Sequence, residues 1–121
     1  LKVQFHTMWK DKATLLDILK AARLAIEFRK DMDKPAFLSD PKTQSSILHQ
    51  LLILGEAVKR LSGDVRERYP EIPWKTMAGM RDTLIHAYDD VDLEEVWKTV
   101  TADLPKIISQ IEPLVPSEKK S

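Results

Sequence analysis

The sequence predicts an all-α protein, an up-down bundle of four to five helices in one domain. Three observations lead there. Apolar residues recur at steps of three and four through several long stretches, the period of a helix with one buried face. No stretch alternates apolar and polar residues as a half-buried strand would. Glycine occurs only 3 times in 121 residues, while 43% of the chain is hydrophobic, which suits an ordered globular domain. That length is one domain's worth and is enough for a core.

Taken in order, the first helix spans about residues 10–30. Leu15, Ile18, Leu19, Ala22, Ala25 and Ile26 form its buried stripe, and Asp11 fits an N-cap. Lys10, Lys12, Arg23, Arg29 and Lys30 read as a solvated face rather than a phosphate site. Residues 31–40 form a loop. Asp40 followed by Pro41 then opens a second helix, with a capping carboxylate and a proline in the first turn. Ile47, Leu51, Leu54, Val58 and Leu61 step by 4, 3, 4 and 3, a bundle seam that Leu48 and Leu52 widen. Gly55, inside that helix, costs about 1 kcal/mol against alanine, which points to a close helix crossing. His49 lies alone and reads as structural. Gly63 is expected to cap the helix end. A short helix over residues 64–69 stops before Pro70.

Pro73 and Trp74 open a central helix that runs to Tyr88, with Met77, Met80, Leu84 and Ile85 as its apolar contacts. The acidic run from Asp89 to Glu95 reads as a helix start, with Asp92 as N-cap and Glu94 and Glu95 favoured by the dipole. The last helix spans about residues 93–112, with a stripe from Val96 to Ile111 and a kink at Pro105. Residues 1–7, ahead of Met8, read as an appended or upstream extension. Residues 116–121 read as a flexible tail.

Composition narrows the function. With 19 basic and 19 acidic residues the net charge is +0, so any nucleic-acid role must rest on a local site. There are no cysteines, hence no thiolate chemistry and no disulfides. No apolar run approaches the roughly 18 residues of a membrane span, and the start lacks a signal-peptide layout. A cytoplasmic protein is expected.

The chemistry concentrates in residues 81–88. Within eight residues stand a fixed cation, a carboxylate, an imidazole and a phenol: Arg81, Asp82, His86 and Tyr88. On a regular helix Asp82 and His86 share a face, as do Arg81 and Tyr88. Arg81 and His86 do not, being about 140° apart. Either the helix loosens near His86, or a second copy of the chain completes the site. Glu56, beside the seam of the second helix, either reaches a polar site or pairs with Lys59 or Arg60 on its own helix.

Arg81-x4-His86-x-Tyr88 resembles the R-x4-H-x-Y signature of HEPN-domain ribonuclease toxins of the HepT type. The likeness extends over Leu54-Gly55-Glu56-Ala57, Ile72-Pro73-Trp74, Gly79-Met80-Arg81, Leu84 to Tyr88, Val91-Asp92 and Val96-Trp97, and covers roughly residues 8–115 as one HEPN-like domain. Where this family often has Asn after the arginine, this chain has Asp82. The resemblance implies a homodimer with two motifs facing one cleft, and cleavage of RNA, tRNA among the candidates, without a metal or other cofactor. It also implies a partner, a minimal nucleotidyltransferase antitoxin of the MntA type, which transfers AMP to the signature tyrosine, here Tyr88.

The residue chemistry agrees. RNA carries its own nucleophile, the 2′-hydroxyl. Histidine is suited to general acid–base work near neutral pH, and arginine can hold a phosphate and stabilise its transition-state charge. Arg81 and His86 are the expected catalytic pair. Asp82 and Glu56 support them, Asp82 by orienting His86 or favouring its charged form. The rival reading is a non-catalytic HEPN module that binds a nucleotide or sits beside a nucleotidyltransferase. A metal-dependent hydrolase built on Asp89, Asp90 and Asp92 is the least favoured.

Overall fold

The structure is a computed structural model that describes residues 2–115, with side chains from Trp9 onward. The tail expected at residues 116–121 lies outside the described residues. Seven α-helical segments follow one another: α1 (Lys2–Phe28), α2 (Lys34–Leu38), α3 (Pro41–Lys59), α4 (Gly63–Arg68), α5 (Trp74–His86), α6 (Leu93–Lys98) and α7 (Leu104–Ile111). No strand occurs among the described residues. A π-helical stretch, Thr99–Asp103, joins α6 to α7, so the two make one nearly continuous rod. The expected bundle is therefore present: α1, α3, α5 and the α6–α7 rod are its long members and α4 its short one.

Helix α3 is the central member, packed on α1 along one side and on α5 along the other. Its seam residues Ile47, Leu51, Leu54 and Val58 are all buried, as is Leu61 just past its end. They meet Leu15, Ile18, Leu19, Ala22 and Ala25 of α1, and Val100, Leu104, Ile107 and Ile111 of the rod complete the core. Asp40 caps α3, accepting from the Thr43 amide at 3.2 Å and the Thr43 hydroxyl at 2.9 Å. The Thr43 hydroxyl is the main reason its carboxyl stays below the usual carboxylate range. Asp92 caps α6 in the same way, accepting from Glu94 N at 2.9 Å.

Four local expectations need correction. Asp11 is no N-cap, because α1 already runs from Lys2 and places it inside the helix. It is buried instead, and it accepts from Ser62 N at 3.1 Å and Ser62 Oγ at 2.7 Å, fastening α1 to the α3–α4 junction. The expected loop at 31–40 contains α2, capped by Asp33, which inserts the fully buried Phe37 between α3 and Trp97. Gly63 does not close α3: no glycine here has a positive φ, and Gly63 opens α4 behind the Ser62 cap. Finally, α5 ends at His86 rather than Tyr88.

The proline expectation is met in a particular form. Pro105 has no N–H to donate to the preceding turn, and Leu104 N reaches back five residues to Thr99 O. The hydroxyls of Thr99 and Thr101 donate back one turn, to Glu95 O at 2.9 Å and Trp97 O at 2.8 Å.

Candidate active site

Arg81 is placed by a close crossing of α3 and α5. A Cβ built on Gly55 would overlap the Arg81 Cβ and stand 2.9 Å from the Met77 carbonyl oxygen. Only a residue without a side chain lets the two backbones approach this closely. Trp74 and Met77 bury the first turns of α5, and the Trp74 indole donates to Tyr69 O at 2.9 Å. The next residue of α3, Glu56, then meets the guanidinium: Arg81 Nε donates to Glu56 Oε2 at 2.6 Å. Arg81 Nη1 donates to Asp82 Oδ1 at 3.0 Å, and Lys59 Nζ donates to the same oxygen at 2.7 Å. Four charges, two of each sign, thus form one chain from Glu56 to Lys59.

The network favours the charged forms of Arg81 and Asp82. The Glu56 hydrogen bond, followed by that of Asp82, raises Arg81 further above its already high range. The Lys59 hydrogen bond, followed by that of Arg81, holds Asp82 below the usual carboxylate range. The Arg81 side chain is 25% exposed. Of its five N–H donors, two are taken by these carboxylates, leaving three for a ligand.

The other half of the motif is arranged differently. Helix α5 is regular through its last turn, where Ala87 N donates to Thr83 O at 2.8 Å. His86 therefore stays about 140° around the helix from Arg81, on the solvent side and exposed. No hydrogen bond or ion pair holds its side chain among the described residues. The chain then leaves the helix through Ala87 into a 3₁₀ turn, Tyr88–Asp90. Tyr88 is 51% exposed and Ile85 49%. The expected face shared by Arg81 and Tyr88 does not form, because Tyr88 lies past the helix end.

Of the sequence-chosen residues, Glu56, Arg81 and Asp82 come together, while His86 and Tyr88 stand apart from them. Glu56 does not pair along its own helix: Arg60 instead approaches Asp17 at 3.5 Å. Asp82 does not engage His86, since Lys59 and Arg81 hold its carboxylate. Lys59 was overlooked as a member of the cluster. Its signal is present, since it lies three residues after Glu56 and hence on the same face of α3. Two recesses of the surface, one between α5 and α7 and one beside Arg29 and Trp97, involve none of the motif residues. Asp92 spends its carboxylate on the α6 cap, and no group of three or more His, Asp or Glu side chains is placed to hold a metal among the described residues.

Residues 18–114 match the family model described as "Ribonuclease HepT-like". The chain belongs to the HepT-like ribonuclease family. Among its relatives, a Thermococcus cleftensis protein named "Probable ribonuclease HepT" is 45% identical, over 85% of this chain and 94% of that one. The Methanocaldococcus jannaschii protein "Putative RNase MJ1380" is 42% identical over 84% of this chain and 93% of its own. One from Caldanaerobacter subterraneus, "Putative RNase TTE0752", is 36% identical over 84% and 91%. No solved structure gives a significant match. As a HepT-like family member, the chain is an endoribonuclease, which decides between the enzyme and the non-catalytic module. No described helix is long and apolar enough to cross a membrane.

Proposed function

We propose that this HepT-like ribonuclease is a cytoplasmic toxin that cuts RNA, tRNA among the candidates, without a metal, at a site shared between two copies of the chain. The observation that carries the reading is the division of the motif. Arg81 is turned inward and clamped by Glu56, while His86 stands outward and unheld on the same regular helix. One chain thus offers a fixed cation and a separate imidazole, and a two-fold partner can bring its own imidazole to that cation. Ile85, exposed beside His86, offers apolar surface for such a contact.

In the reaction the 2′-hydroxyl attacks the adjacent phosphorus. The new P–O2′ bond forms as the P–O5′ bond breaks. The imidazole takes the 2′-proton and, protonated by it, gives a proton to the departing 5′-oxygen. Arg81 holds the non-bridging oxygens, whose charge grows in the transition state. The products end in a 2′,3′-cyclic phosphate and a 5′-hydroxyl. His86→Ala should lower cleavage by about 100-fold or more with a chelator present throughout. If that variant cuts at the wild-type rate, the assignment is wrong.

Tyr88 fits a control point. Its ring is half-exposed at the end of the site helix, and its hydroxyl has no hydrogen-bond partner among the described residues. AMP transferred there by an antitoxin nucleotidyltransferase of the MntA type would bring an anionic phosphate and a bulky nucleoside to the site. Intact mass after co-expression checks this: the wild type should gain one AMP, and Tyr88→Phe should gain none while still cutting RNA.

A further inference from the structure

Asp82 Oδ1 receives two cations at once, Lys59 Nζ at 2.7 Å and Arg81 Nη1 at 3.0 Å. An anionic oxygen between an ammonium and a guanidinium is the arrangement a phosphodiester oxygen seeks. The two carboxylates on Arg81 are not equivalent. Glu56 holds Nε, beside the Gly55 crossing that seats the arginine backbone. Asp82 takes a terminal nitrogen, and its bridge to Lys59 faces solvent, with the two side chains 47% and 41% exposed. Exposed ion pairs of this kind are weak and exchange readily with other ions in water. We propose that Lys59 is a second phosphate ligand of the ribonuclease site, held beside Arg81 by an Asp82 oxygen that occupies the position an RNA phosphate oxygen takes on binding.

This rests on the reading of Arg81 as the phosphate-holding group and extends it to α3. Glu56 and Lys59 lie three residues apart on one face of that helix. A single helical turn therefore supplies both the clamp on Arg81 and the second cation. With Asp82 in place the four charges cancel, two against two. When the phosphate displaces it, Arg81 and Lys59 bear on the substrate while Glu56 keeps the guanidinium in position. The carboxylate of Asp82 then acts as an internal competitor of RNA.

The test is binding, read apart from cleavage. A short single-stranded 2′-O-methyl oligonucleotide lacks the nucleophile, and its affinity is followed by fluorescence anisotropy across a potassium chloride series. Lys59→Gln should bind several-fold more weakly and flatten the slope of log affinity against log salt by about 0.7, one phosphate contact on a single strand. Lys59→Arg should restore both quantities. Asp82→Asn should bind more tightly than the wild type. Lys20→Gln, at an exposed position of α1, controls for loss of a positive charge. The proposal is overturned if Lys59→Gln matches Lys20→Gln in affinity and slope, or if Asp82→Asn weakens binding. Cleavage by His86→Ala judges the catalytic reading separately, so each idea can fail without the other.

Discussion

Arg81 and His86 lie five residues apart on one short helix and live in opposite surroundings. Arg81 sits against a backbone crossing, with carboxylates on two of its nitrogens. His86 occupies the last helical position, exposed and free of hydrogen bonds among the described residues. A phosphate-holding cation gains from being fixed before substrate arrives, because no reorganisation is then left for the transition state. An imidazole that must meet the cation of another protomer cannot be bound down within its own. Under the proposed shared site, the contrast separates what one chain prepares alone from what a second copy would supply.

The sharpest break of that comparison is a complementation experiment. Arg81→Ala and His86→Ala should each lose about 100-fold or more in cleavage. Mixed and allowed to exchange subunits, they should recover roughly a quarter of wild-type activity, since half the dimers are mixed and each has one of two sites complete. Recovery of nothing would place both groups of a site in one chain.

The next effect belongs to the fixed half. Gly55→Ala puts a methyl against Arg81 and the Met77 carbonyl, and overpacking of this sort costs about 1–3 kcal/mol. Cleavage should fall with it, because α5 can relieve the overlap only by carrying Arg81 away from Glu56. Gly79, also within a helix, has open space where its side chain would be. Gly79→Ala should instead stabilise by about 1 kcal/mol. Denaturant titration of the two variants compares them, and equal effects would deny that the crossing is tight.

The smallest effect concerns pH and tests to which half Asp82 belongs. Its folded-state value lies below the ordinary one of about 3.9. The pairing is therefore complete at and above the ordinary carboxylate range, and it is lost only as pH falls through the lowered value. Between about pH 5 and 8, where histidine titrates, Asp82 does not change charge. Asp82→Asn should raise or lower the cleavage–pH curve without sliding it along the pH axis. A sideways displacement would mean that Asp82 acts on His86 after all.

Much of this was readable from residue order. The 4-3-4-3 seam of α3, the Asp40–Pro41 start and the Asp92 cap are local patterns, and local patterns survive folding. Gly55 was legible because a glycine inside a strong helix needs a neighbour to explain it. The identity of that neighbour, Arg81, was not, since a crossing pairs residues 26 positions apart. Asp11 is misread for a related reason: its partner Ser62 stands 51 positions away at the α3–α4 junction, and the carboxylate that looks like a cap is buried there. The end of α5 at His86 has no glycine or proline to announce it. Lys59 was overlooked because its carboxylate partner stands on α5, whereas sequence spacing offers only Glu56.

The π-helical stretch in the last rod bears on how the chain keeps its register. Val96, Val100, Leu104, Ile107 and Ile111 are all buried, yet their steps of 4, 4, 3 and 4 outrun the pitch of a regular α-helix. Over four turns the surplus is about half a residue, enough to rotate the far end of the stripe off the core. One wide turn, closed by Leu104 N on Thr99 O, absorbs that surplus. The stretch behaves as a phase corrector, and Pro105 marks where the correction must be made. Adding or removing a residue on either side of it would leave the rod helical but aim one half of its stripe at water.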